Sequence, residues 1–371
     1  LNVSANTLSA ADKPAPPVSG SHRIPSLDGL RALSIAAVLA VHLFGPDQHS
    51  IQGWLMHALA FGGVYLFFVI SGFLITGLLL QEETSTASVS LRNFYVRRAF
   101  RIVPVAYVYI AVVFTLFPDQ IGRINFLLAP LFLMNFSPDG SWLVGHFWTL
   151  SIEEQFYLVW PFLFVFARHL RLRLLVALIV GMPIILLLLL RVPTIGQFLT
   201  STSADRPATG CLLAILAYSP RSRAVLQRIV DQRFFWLLLL PLALCLVLND
   251  EAIFRALPSF TSLRFYNVAR LLFMRPTTHI IMALVIFRVV TRPVFLLNNA
   301  IVNYIGRLSY SLYVWQQVYS HNRFTPGLVG LLLTFVTAII SYHWLEQPFL
   351  RLRHRFTRPR LAVQPVNIVA S

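Results

Sequence analysis

A chain of 371 residues that is 57% hydrophobic and only 12% charged, with a mean hydropathy of +0.70, has too little polar surface to cover a water-soluble core, which excludes a soluble globular protein. The formal charge of +16 would suggest nucleic acid in a soluble chain. Here Lys13 is the one lysine, no nucleic-acid motif is present, and most arginines sit in short connections between apolar runs, where they read as cytoplasmic anchors and topology signals.

Residues 1–22 are rich in Ser, Ala and Pro, lack the basic start and long apolar core of a cleavable signal peptide, and are expected to stay disordered. Apolar runs then centre on 29–45, 59–80, 100–117, 152–167, 172–190, 202–219, 234–248, 277–290, 302–320 and 327–345. Together they predict an all-α polytopic bundle with about ten transmembrane helices across 23–350, followed by a basic tail over 351–371. Pro104, Pro161 and Pro183 are points where a span can break. A further run, INFLLAPLFLMNF at 124–136, is short and holds Pro130. Letting it cross would put RHLRLR and the later basic loops on the outer side, so it is expected to be re-entrant or superficial, with both termini cytoplasmic. Cys211 and Cys245 lie in separate apolar runs without metal-like spacing and read as core residues; no metal is expected.

Polar residues inside such runs are the candidates for chemistry. In RIPSLDGLRALSIAAVLAVHLFG, residues 23–45, Arg31 and His42 are eleven apart. In a helix that returns them to nearly one face, about 16 Å apart. An imidazole in an apolar helix is costly when charged, which suits His42 to act as a neutral general base, although a lone intramembrane histidine also serves as a hydrogen-bonding packing residue. Arg97, Arg98 and Arg101 in RNFYVRRAFRIVP can cradle phosphates at the inner mouth of a span or serve as plain anchors. Glu153 and Glu154 in HFWTLSIEEQFYLVWPF open an apolar helix, where they can pair with buried arginines or orient His42; Tyr157 follows, and His146, just upstream, is a weaker candidate. Ser71 in FFVISGFLIT, Arg206 beside Asp205, and Arg307 in YIGRLSYSLYVWQQ, with Glu346 after it, complete the set.

The ordered set DGLRA with its histidine eleven residues past the arginine, FFVISGFLIT, RRAFRIVP, FWTLSIEEQFYLVWP, GRLSYSLYVWQQ and LEQPF resembles the membrane-bound acyltransferase-3 family over nearly the whole chain, from Ile24 to Arg353. The resemblance implies a bacterial inner-membrane enzyme that moves an acyl group, usually acetyl from acetyl-CoA, to a hydroxyl of a cell-surface or exported carbohydrate, with acylation of a macrolide sugar as an alternative. It makes His42 the essential histidine, Arg31 its partner, and Arg97, Arg98 and Arg101 the donor-binding motif, with Glu153 and Glu154 in the acidic motif. It brings no permanently bound cofactor, only acyl-CoA as substrate, a glycan or glycoside as acceptor and the lipid bilayer as surroundings; the oligomeric state stays open. Family members with a fused SGNH-type domain exist, and this chain is expected to be the stand-alone form. A polytopic transporter or flippase of an anionic or lipid-linked substrate would place arginines and a histidine in its spans in the same way.

Overall fold

The computed structural model describes residues 24–45, 50–189, 203–249, 263–320 and 327–356. The N-terminal segment 1–22 and most of the basic tail lie outside these residues. Among them there is no strand, and helices occupy all ten of the apolar runs. Together with the polar helix α7, which lies between two of the runs, they are α1 (Pro25–Phe44), α2 (Ile51–Thr86), α3 (Leu91–Leu116), α4 (Phe147–Phe166), α5 (Arg171–Leu189), α6 (Asp205–Tyr218), α7 (Pro220–Val230), α8 (Leu239–Leu248), α9 (Arg275–Thr291), α10 (Ala300–Ser320) and α11 (Gly327–Ser341). The protein is an all-α polytopic membrane protein.

Six of these stretches are long and apolar enough to cross a membrane by themselves, and the pair made by α7 and Phe235–Leu248, bent by 88°, makes a seventh. The expected ten is therefore not reached by length and apolarity alone. Helix α6 has 14 residues, whereas α4 and α10 have 20 and 21 and fall short in apolarity. The last helix also runs past its expected end: a π-turn over Tyr342–Glu346 leads into Gln347–Leu352.

Local chemistry accounts for the helix ends. Pro25 starts α1, where its missing N–H costs nothing, and Asp28 sits in the first turn beside the positive helix end. The Ser50 and Ser90 hydroxyls cap α2 and α3 by accepting from the Gly53 and Asn93 N–H groups at 3.0 and 3.3 Å. Pro104, Pro161 and Pro183 each stay inside an unbroken helix. The 124–136 segment forms only short turns, Asn125–Leu128 and Met134–Phe136. It is tied to α4 by the Met134 N–H on the Ser151 hydroxyl (3.0 Å) and by the Gln155 amide on the Phe132 carbonyl (3.0 Å). It does not form a spanning helix.

Lipid supplies no hydrophobic drive between helices, so close approach depends on small residues. The backbone of α10 at Gly306 lies on Asp28 of α1, and Gly63 of α2 lies on Ser34 of α1. Gly72 of α2 meets the Pro207 carbonyl of α6, and Gly210 of α6 meets the Val69 carbonyl in return. A side chain at any of these positions would run into backbone. Gly72→Leu is expected to lower the thermal unfolding midpoint in detergent, at a cost of roughly 1–3 kcal/mol or more. Gly77→Ala, whose added carbon meets open space, is expected to leave that midpoint unchanged or slightly higher.

Candidate active site

Three cavities follow one another along α1. The first lies at the N-terminal end of the helix and is lined by Asp28, Arg31, Arg98, Arg101, Arg307 and Glu346 among others. The middle one shares Arg31, Ser71, Arg98 and Arg101 with the first and adds Glu153. The third holds His42 together with His57, Trp142, His146 and Trp148, and shares Val64 and Tyr313 with the middle one. The row runs from an arginine-rich end to an imidazole- and indole-lined end. The two residues that helical spacing put on one face of α1 thus mark its two ends.

Arg98 is the hub of the middle cavity. Its guanidinium lies 3.9 Å from Glu153 and 3.8 Å from Glu154 and covers the ring of Tyr157 at 3.6 Å. The Tyr157 hydroxyl is hydrogen-bonded to the Ser71 hydroxyl. One residue from each of α2 and α3 and three from α4 therefore meet at one point, where a half-buried guanidinium faces two carboxylates and an aromatic ring. Arg31 pairs with Asp28 at 3.7 Å. Arg101 lines both arginine-rich cavities with no carboxylate inside ion-pair distance among the described residues. Arg307 lies 5.4 Å over the Tyr304 ring, and Glu346 accepts from the Ser311 hydroxyl at 3.3 Å.

Two of the sequence candidates sit elsewhere. Arg97 turns to Glu82 at 2.9 Å, and that carboxylate also accepts the Ser90 N–H at 3.0 Å, so Arg97 fastens the α2–α3 turn and lines none of the three cavities. Arg206 stacks on Tyr65 at 4.1 Å. Its neighbour Asp205 takes Arg275 in a bidentate pair, at 2.7 and 2.5 Å, with His279 at 3.5 Å. This buried cluster joins α6 to α9 apart from the cavities.

At the far end, His42 Nδ1 is 2.7 Å from the side-chain oxygen of Gln316, and the ring meets Trp142 edge-on at 5.6 Å. An amide oxygen only accepts, so Nδ1 carries the hydrogen and the Nε2 lone pair is left available. The glutamates pair with Arg98, and it is Gln316 that holds His42. His146 is buried, with Nε2 3.1 Å from the Val314 carbonyl. Gln316, Trp142, Val64 and Tyr313 carried no signal individually, although Gln316 and Tyr313 stand inside the YSLYVWQQ motif. Among the described residues no cluster of three or more His, Cys, Asp or Glu is placed to hold a metal ion.

The structure is thus a helical membrane bundle with a row of cavities that runs from clustered arginines to a histidine. A family model described as an acyltransferase domain matches residues 24–345, and the chain belongs to this family, acyltransferase-3. A Staphylococcus aureus (strain COL) protein named "Putative O-acetyltransferase" is 29% identical over 88% of this chain and 57% of its own length. The peptidoglycan O-acetyltransferase OatA of Listeria monocytogenes is 26% identical over 88% of this chain and 55% of its own. The chain spans a little over half the length of these relatives. No solved structure matches.

Removing one partner of the Asp205–Arg275 pair strands a buried charge. Asp205→Asn is expected to cost roughly 3–5 kcal/mol. The double variant Asp205→Asn/Arg275→Gln is expected to cost clearly less than the sum of its single changes, as read from thermal unfolding in detergent.

Proposed function

We propose that the protein is a membrane-embedded O-acyltransferase of the bacterial cytoplasmic membrane. It takes an acyl group, acetyl in the first instance, from acyl-CoA and places it on a hydroxyl of a cell-surface or exported carbohydrate. The observation that carries this reading is the row of cavities along α1, with arginines at one end and His42 at the other. The peptidoglycan named for the Listeria relative is one glycan of this class.

In this reading the phosphates of CoA lie against Arg101, Arg98 and Arg307 at the cytoplasmic mouth, through charge-assisted hydrogen bonds that a guanidinium makes well. The pantetheine arm runs along α1 toward His42. Arg31 stands about 16 Å from His42 along the helix, too far to steady charge at the reacting carbonyl, so its work is on the donor. Glu153 and Glu154 fix the Arg98 fork. The acceptor enters the His42 cavity from the outer face. There Nε2 takes the proton of the attacking hydroxyl as its oxygen bonds to the thioester carbonyl carbon; the C–S bond then breaks and the proton passes to the departing thiolate. Gln316 keeps the imidazole in the tautomer this needs. Direct transfer requires no acyl-enzyme, and Ser71, bonded to Tyr157, serves to position Arg98's aromatic platform.

Purified protein supplied with acetyl-CoA and glycan from the cells that make it is expected to release CoA and label the glycan. His42→Ala is expected to lower turnover by roughly 10²–10⁴-fold. Arg101→Ala is expected to raise KM for acetyl-CoA about tenfold or more, the scale of one lost hydrogen bond to a charged group, while Arg97→Ala changes it little. Unchanged turnover in His42→Ala would overturn the base assignment. Passage of a lipid-linked sugar across vesicles without any acyl transfer would favour the transporter reading, to which a row of cavities is also suited.

A further inference from the structure

We propose that Val64 and Tyr313 form a rigid collar between the donor-side cavities and the His42 cavity, and that this collar selects acyl groups by cross-section, passing unbranched chains and rejecting branched ones. The inference rests on the acyltransfer reading above. Among the described residues, Val64 and Tyr313 are the two common to the walls of the middle and far cavities, so on this proposal an acyl group carried from the arginines to His42 passes between them.

Both sides of the collar are held in place. The Tyr313 hydroxyl donates to the His146 carbonyl at 2.9 Å and is 2.7 Å from the Thr149 hydroxyl, and its ring packs against His146 at 5.5 Å. Val64 follows Gly63, whose backbone rests directly on the Ser34 carbonyl of α1. Neither wall can retreat without breaking two hydrogen bonds or prising α2 from α1. A close-packed interior that cannot relax penalises even one additional methyl group.

Past its flat carbonyl, which passes edge-on between two walls, a straight acyl chain presents one methylene of width whatever its length, whereas a tetrahedral branch at the second carbon presents two carbons abreast. The collar therefore reads branching rather than length. The same width limit applies to CoA itself. Between the thioester sulfur and the hydroxyl-bearing carbon nine bonds away, about 11 Å when extended, its pantetheine arm holds only methylenes and flat amides. Gly63, next to Val64, meets Ser34, eight residues before His42, which is about 12 Å along α1. With the hydroxyl-bearing carbon stopped at the Val64 wall, the thioester reaches the neighbourhood of His42.

The test uses the full chain in lipid nanodiscs, glycan extracted from the producing cells, and acetyl-, butyryl- and isobutyryl-CoA. Wild type is expected to transfer acetyl and butyryl and to use isobutyryl at least about tenfold less well than butyryl, the discrimination one misplaced methyl can supply. Val64→Ala is expected to raise the isobutyryl-to-butyryl ratio about tenfold while retaining acetyl transfer, and Val64→Ile to lower it further, so either variant that accumulates decides the matter. Equal use of the two four-carbon donors by wild type overturns the collar, as does an unmoved ratio in a Val64 variant that still transfers acetyl. Absence of transfer from all three donors in wild type instead overturns the acyltransfer reading, and the collar falls with it.

Discussion

The charge cluster around Arg98 is the constraint on which the rest of the site depends. A guanidinium in the interior of a membrane bundle must be met by countercharge and an aromatic face, and Glu153, Glu154 and Tyr157 supply both from successive turns of α4. That binds α3 to α4. Ser71, through Tyr157, brings in α2. With those three helices fixed, the space between them and α1 cannot collapse, and the cavities remain.

Close packing elsewhere makes this opening affordable in structural terms. At Gly306, Gly63, Gly72 and Gly210 the helix backbones touch one another, so α1, α2, α6 and α10 form a tight frame in which the side chains at the crossings leave no slack. Two of the helices that face the cavities show the opposite character. α4 and α10 are long enough to span but not apolar enough to be recognised as spans, because their polar residues, Glu153 and Glu154 on one and Arg307, Ser309, Gln316 and Gln317 on the other, turn toward the site. A deficit in hydropathy thus marks two of the helices that border the cavities.

This also explains what was legible in the sequence. Helical spacing placed Arg31 and His42 on one face because both belong to a single helix, and periodicity within one element survives folding. The apolar runs gave the helices themselves, and the shortness of 124–136 together with loop charge kept it from being read as a span. The partners were not legible, since they depend on contacts between distant elements: Gln316 lies 274 residues from His42, and Asp205 lies 70 from Arg275. Arg97 and Arg98 are adjacent and chemically identical, yet helix geometry sends one to Glu82 at the α2–α3 turn and the other into the bundle. Spacing alone named the motif and not the member of it that faces the cavity.

The two ends of the cavity row differ in a way that gives the proposed reaction its direction. The arginine-rich end is lined by four arginines, Arg31, Arg98, Arg101 and Arg307, whereas among the described residues the lining of the His42 cavity contains no arginine, lysine, aspartate or glutamate. A molecule bearing several phosphates is stabilised at the first and would shed its hydration without compensation in the second. A neutral polyol has the reverse preference, since indole faces, imidazoles, a serine and a glutamine offer hydrogen bonds and apolar contact with no fixed charge to desolvate. In the proposed reaction each substrate is thereby confined to its own end, and only the uncharged thioester tip of the donor passes between them. On that proposal the separation keeps CoA at the arginines while its acyl group goes to a hydroxyl that never meets them.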